Sequence, residues 1–417
     1  MRIAVIGAGI VGVTSAWELA CDGHEVEVFE RRMAAAEECS FANAGIVAPG
    51  YVTPWAAPGM PLKVLRHLWG AHAPVRLAWP LSGNDLGWIW RWYRACRREV
   101  YIRHRAQLQQ LAFYSRQRLR QLSADLQLEY DRSDGYMVLL RAQSDNRQIQ
   151  TGLQVLRDAG VAFSEIDRAA ALRLEPALNP DTPFFSAVHL PDDEVGNCRQ
   201  FALLLKNKAL HMGVKYSFST TVERIASGAG MALAIQGDSA LRPFDAVALC
   251  AGLESARLLR PLGLRVPLAA VHGYSLSAAI REPLNAPRSA VMDERYKVAI
   301  SRLGHRIRVA GGAQLGGAGV QHSRAAVATL YKVLRDWFPG AAGLSQGVQL
   351  WKGSRPMLPD GPPLIGASSV PGLWLNLGHG SSGWALSCGS ARALADLVSR
   401  REPALDMRGF DARRLMP

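Results

Sequence analysis

Long hydrophobic runs are missing from this 417-residue sequence. No apolar stretch approaches the ~18 residues that a membrane-spanning helix needs, so an integral helical membrane protein is excluded. Cysteine is scarce and scattered. The six thiols, Cys21, Cys39, Cys96, Cys198, Cys250 and Cys388, include no CxxC pair. They read as reduced, mostly buried thiols of a cytosolic protein, neither a zinc site nor a disulfide frame. HExxH, P-loop and internal repeats are absent too, and no metal is expected. An apolar strand opening at Arg2 leaves no room for a cleavable export segment, so a cytoplasmic location is expected. Charged residues make up 20% and hydrophobic ones 49%, which is ordinary for a globular chain with core enough for two or three domains.

Lysine is missing where charge is densest. Residues 91–120 carry nine arginines and no lysine, a large part of the formal net charge of +13. A solvated helical face, a contact with anionic membrane and a nucleic-acid patch all fit such a run. The solvated face is the first reading; Trp88, Trp90, Trp92 and Tyr93 beside the run raise the second, peripheral attachment at the cytoplasmic face of an inner membrane, since such rings settle at headgroup depth. No nucleic-acid-binding module surrounds the run, and no nucleic-acid partner is expected.

Against these absences stands the opening "RIAVIGAGIVGVTSAWELACDGHEVEVFERR". An apolar strand runs into Gly7, Gly9 and Gly12, then a helix over 10–20, then the alternating strand "EVEVF" ending at Glu30. The spacing is that of a dinucleotide turn. Gly7 permits the tight turn, Gly9 lets backbone approach a pyrophosphate, and Gly12 lets helix and strand pack closely. Ile3, Val5, Ile6, Ala8, Ile10 and Val11 belong to the same cofactor-binding segment. Glu30 would accept from ribose hydroxyls and repel a 2′-phosphate, an objection that Arg31 and Arg32 soften. A second nucleotide half soon after residue 80, as NAD would ask for, is missing. Nucleotide-type segments return near 214–252 and 351–398, which suits FAD.

The rest reads as irregular cover over 54–83, helices at 105–127 and 145–159, a strand at 135–140, an amphipathic helix through 201–212, the buried strand "FDAVALCAG" and a strand-rich block from 262 to 350. We expect an α/β protein: a Rossmann-type FAD-binding domain from separated segments (1–55, 185–260, 351–417) and an inserted α+β substrate domain (56–184, 261–350) dominated by a mostly antiparallel sheet.

"SFANAGIVAPGYVTPWAAPGMPLKVL" at 40–65 makes the sequence recognisable, and "LPDDEVGNCRQFALLL", "RPLGLRVPLAAVHGYSLSAAI", "WKGSRPMLPDGPPLIG" and "LGHGSSGWALSCGSARALADL" extend the likeness over the whole length. The chain resembles the small subunit of bacterial D-amino acid dehydrogenase, within the D-amino acid oxidase and glycine oxidase superfamily. The resemblance implies non-covalent FAD, a D-amino acid oxidised to a 2-oxo acid and ammonia, and electrons passed to a quinone or other respiratory acceptor. Sibling chemistries on glycine, sarcosine or hydroxyproline, a tRNA-modifying flavin enzyme and a non-catalytic FAD subunit are the alternatives. Asn197, Gln314, Cys39 and the pair Ser381-Ser382 depart from the family's usual residues.

For the site, the resemblance implies that Arg355 pairs bidentately with the substrate carboxylate and that Tyr274 closes over carboxylate or amine. Tyr51 and His272 are weaker pocket candidates. His379 is a candidate for catalysis, although its neighbours Gly378 and Gly380 suggest that its backbone matters more. Ser40, Asn43, Ala44 and Gly45 would fold back over the cofactor. Val222 would line the adenine, with Ala251 and Gly252 against the nucleotide. Ser381 and Gly383 would begin a helix whose positive end faces the flavin.

Overall fold

In the computed structural model, residues 1–67, 70, 72–228, 230–317 and 321–415 are described. Two large sheets organise the chain. The first has six strands in the order Leu364–Ala367, Leu373–Leu377, Ala246–Leu249, Arg2–Ile6, Glu25–Phe29, Lys215–Ser217. All pairings in it are parallel except that between Leu364–Ala367 and Leu373–Leu377. After exposed Arg2 the strand reads "IAVI", apolar because it is covered on both faces, and Ile3, Ala4 and Val5 are fully buried.

Helix Ile10–Cys21 follows the first strand and packs with Cys198–His211 and Gly383–Val398 around one core. Helix Arg98–Asp125 joins them, starting seven residues before the helix expected at 105. It approaches so closely that a Cβ on Gly389 would stand 2.9 Å from the Ser115 backbone. Three of its arginines are tied into the fold: Arg118 to fully buried Glu18, Arg116 to Asp193 and Arg120 to Glu194.

The second sheet has ten strands and is mostly antiparallel, as expected. At its heart Gln349–Met357, Ala269–Ala279 and Arg306–Gly316 lie side by side. Helix Arg324–Trp337 packs against this sheet, burying Leu330, Val333, Leu334 and Trp337. The stretch 54–83, read as irregular, contains helix Met60–His67 and strand Val75–Ala78. Ile46–Val47, Ser186–Val195 and Gln349–Met357 pair into the second sheet, although the sequence reading placed most of their residues with the nucleotide fold. Their neighbours in the chain carry dinucleotide-type segments, while their hydrogen-bonding partners are distant in sequence.

Candidate functional site: a dinucleotide cleft beside an arginine-bearing strand

The carboxyl ends of the parallel strands open into one cleft of about 240 Å³. Ile6, Phe29, Cys250 and Leu377 mark those strand ends, and Gly7, Gly9, Ile10 and Val11 line the cleft between them. This is where an open α/β sheet leaves room for a ligand. Gly7 has φ +101°, and a Cβ there would meet the Cys250 carbonyl at 2.7 Å. A Cβ on Gly12 would lie 1.8 Å from the Gly7 oxygen, so the helix can leave the turn only if both are glycine. Gly9 differs: the nearest atom to a Cβ there is the Ser40 hydroxyl, 3.6 Å away, and the space is open. Helix Ile10–Cys21 begins there with no side-chain cap from Gly9, its Ile10 N–H donating to Ser40 Oγ at 3.1 Å. Open backbone at a helix N-terminus beside a hydroxyl is a cradle for phosphate.

Glu30 stands at the end of the second strand, accepting from the Ala8 N–H at 2.7 Å and the Arg32 N–H at 2.9 Å. Arg31 bridges to Glu38 at 3.0 Å and to Glu254 at 3.2 Å, tying two sides of the cleft. Val222, Ala251 and Gly252 line the same end. The Val222 carbonyl accepts from Arg257, which Glu254 also holds. At the other end stand Gly378, His379, Gly380 and Gly383, where helix Gly383–Val398 begins. The cleft therefore offers a phosphate cradle in the middle, a carboxylate toward one end and a helix N-terminus at the other. That donor set fits FAD.

Several expected residues lie elsewhere. Ile3 and Val5 are core, and Ala8 and Gly12 shape the turn from behind. Asn43, Ala44 and Gly45 do not line this cleft. Asn43 Oδ1 accepts from the Gly45 N–H in a local turn, the Ala44 carbonyl accepts from Ser301, and the Gly45 carbonyl accepts from Trp384 and Gly196. The segment ties the second sheet to helix Gly383–Val398. Ser381 is exposed and off the cleft. Tyr51 donates to Glu294 at 3.0 Å in a separate apolar cluster.

His379 needs correcting as a catalytic candidate. Its ring bonds the Ser390 hydroxyl at 2.9 Å, and burial pulls its pKa down to about 3. The imidazole is neutral at ordinary pH and committed to the helix, so it is a poor proton carrier. Tyr274 is 3% exposed and donates to Gln314 Oε1 at 2.9 Å. The cavity it borders holds about 10 Å³, room for one water at most and none for an amino acid. It stands here as a core tyrosine. His272 bonds Ser354 Oγ at 2.9 Å, and Ser354 lines the cleft.

Arg355 is a different case. Its strand Gln349–Met357 pairs with Ala269–Ala279, and its guanidinium lies across Gly273, where a Cβ would stand 2.3 Å from Nη2. Nη1 donates to the Gly312 carbonyl on the next strand at 2.9 Å. Among the described residues no carboxylate pairs with it, and desolvation pulls its pKa below the usual value. The Cys39 thiol, on the cleft wall, is near enough to act on that charge. Reading the sequence missed Cys39, Thr220, Arg257 and Asn376 as cleft residues. Asn376 is buried, donates to Ser15 at 2.9 Å and leaves Oδ1 unsatisfied. A lone Asn in "LWLNL" carries no spacing signal that could have found it.

The family described as "FAD dependent oxidoreductase" (DAO) matches residues 2–397. A D-amino acid dehydrogenase of Bradyrhizobium diazoefficiens is 40% identical over 409 residues, 98% of this chain and 97% of that protein. One from Cereibacter sphaeroides is 42% identical over 408 residues, covering 97% and 93%. Among solved structures, glycine oxidase from Geobacillus kaustophilus superposes with TM-score 0.76 at 22% identity, covering 100% of this chain and 99% of its own. L-proline dehydrogenase from P. horikoshii gives 0.77 at 16%, covering 99% and 97%. At those identities the structures speak for the fold. With a phosphate cradle built as this one is, and a family match over nearly its full length, the chain belongs to the DAO family of FAD-dependent oxidoreductases.

Proposed function

We propose that this protein oxidises a D-amino acid to the 2-oxo acid and ammonia, passing the electrons to a quinone or other respiratory acceptor in place of oxygen. The observation that carries the reading is Arg355: a guanidinium held against Gly273 and Gly312, with no carboxylate partner among the described residues, on a strand whose adjacent Ser354 and Pro356 line the cleft. A half-buried cation of that kind calls for an anion, and its planar fork matches a carboxylate in two parallel bonds. FAD, when bound, supplies the two-electron acceptor for the hydride that leaves the substrate Cα. Ser40, the Gly7–Gly12 turn and Glu30 are the residues suited to hold it.

The chain's own part is positioning. Arg355 fixes the carboxylate and thereby the direction of the Cα–H bond. The cation beside the bound amine favours its neutral form, so the amine releases one proton before oxidation and its lone pair can drive the hydride out. The imino acid formed by loss of the hydride takes up water and releases ammonia. His379 contributes backbone and its bond to Ser390, which anchors the turn before the last long helix.

The test is anaerobic bleaching of the bound flavin by a panel of D- and L-alanine, glycine, sarcosine and hydroxyproline, with peroxide yield measured in air. Bleaching by D-alanine with little peroxide supports the proposal. Bleaching by glycine or sarcosine alone, or none by any amine, overturns it.

A further inference from the structure

One arginine-rich stretch has two fates in this molecule. Arg116, Arg118 and Arg120 are held by carboxylates. Arg91, Arg94, Arg97, Arg98 and Arg103 form no ion pair among the described residues, and all five are exposed. Over residues 86–103 the only opposing charge is Glu99.

The unpaired arginines flank an apolar face. Helix Gly83–Ala95 turns Leu86, Trp90 and Tyr93 outward at positions i, i+4 and i+7, one stripe of a helix. Trp90 is 61% exposed and Tyr93 56%, and the two rings stack with centroids 6.1 Å apart. Trp79, 80% exposed, stands three residues before the Ser82 cap, and Ile102 is exposed on the following helix. The opposite face of the same helix is packed: buried Trp88 stacks on Trp92 and donates to the Met357 carbonyl at 2.9 Å. Its outward rings are therefore not needed to seat it.

We propose that the outward face of helix Gly83–Ala95, with Trp79 ahead of it and Arg91, Arg94, Arg97 and Arg98 around it, docks on the surface of an anionic lipid bilayer. Trp and Tyr settle at headgroup depth, Leu86 and Ile102 reach the acyl boundary, and the arginines meet lipid phosphates. No described helix is long and apolar enough to cross the bilayer, so the attachment is peripheral. A second copy of the chain suits the face badly, because a two-fold contact would set the arginines against one another. Nucleic acid would satisfy the arginines and leave the apolar stripe without a partner. Docking would hold the bilayer one helix away from the strand that carries Arg355, a short path to a lipid-soluble acceptor. That consequence rests on the proposed function; the lipid contact does not.

The experiment uses the full FAD-loaded protein and sedimentation with vesicles of phosphatidylcholine alone or mixed with phosphatidylglycerol. Binding to the mixed vesicles, weakened by salt, is expected. Reversing Arg91 and Arg94 together (R91E/R94E) should lower the partition coefficient by at least about tenfold, since each basic residue near an anionic surface matters on the order of a kcal/mol. Trp90→Ser with Tyr93→Ser should lower binding at high salt, where the apolar part dominates. Arg224→Glu with Arg265→Glu, the same charge change at other exposed sites, should have much less effect. Retained flavin absorbance and an unchanged melting temperature show that each variant is folded, and neither depends on the catalytic reading. No binding by the parent protein, equal loss in the control pair, or a dimer or RNA complex dissolved by these substitutions in place of vesicle binding overturns the proposal.

Discussion

On the proposed function, the dinucleotide turn and the arginine strand would each hold an anion, and they would do so in opposite ways. In the turn the work is done by backbone: Gly7, Gly9 and Gly12 are within six residues of each other, and their geometry is local. On the strand a side chain does it. Arg355 depends on Gly273 and Gly312, which reach it only through the register of three strands. A local device is stiff and unforgiving, whereas an assembled one can be tuned by small shifts of a flexible arm.

That contrast can be broken. Gly12→Val should be the most damaging change, because its Cβ overlaps the Gly7 oxygen. We expect a loss of at least about 3 kcal/mol in urea unfolding and colourless protein. Arg355→Ala should leave the protein yellow and fold-stable, yet lower kcat/KM by ~100-fold or more, the loss of two charged hydrogen bonds. Arg355→Lys should recover only part of this, as it keeps charge without the fork. If the alanine variant saturates normally, the carboxylate is held elsewhere. Gly273→Ala should act only through Arg355, pushing the guanidinium off its seat. We expect KM to rise about tenfold with flavin absorbance unchanged, and no further effect when combined with Arg355→Ala.

The effect that is smallest at neutral pH concerns His379. Its folded pKa of about 3 lies below the ordinary 6.5, so the unfolded chain binds a proton that the folded one refuses. Its contribution to stability is present above pH 6.5 and lost as pH falls toward 3, with a slope of up to about 1.4 kcal/mol per pH unit. His379→Gln should flatten urea-derived stability in that window. The pH dependence of kcat/KM should show no group assigned to this ring.

What could be read in advance follows the same division. The strand, glycine turn, helix and Glu30 were legible because their meaning lies in short spacing. So was the late bend at Gly378 and Gly380. The segment at Asn43 was misplaced for an equally physical reason. Its small residues suit a cofactor loop, and nothing local reveals that Ser301 and Trp384 claim the carbonyls of Ala44 and Gly45. Tyr274 went to the core and Tyr51 to the edge of a separate apolar cluster because their partners, Gln314 and Glu294, come from far along the chain. The arginine run could not be divided into tied and untied halves until Glu18, Asp193 and Glu194 were placed.

The cleft is walled by residues as early as Ile6 and as late as Gly383. A ribosome working at roughly 5–20 residues per second finishes the first wall tens of seconds before the last. The nascent chain can therefore display a finished glycine turn yet own no closed receptacle until its final long helix has emerged. Coenzyme capture belongs to the end of synthesis, and chains stopped short of that helix should leave the ribosome without pigment.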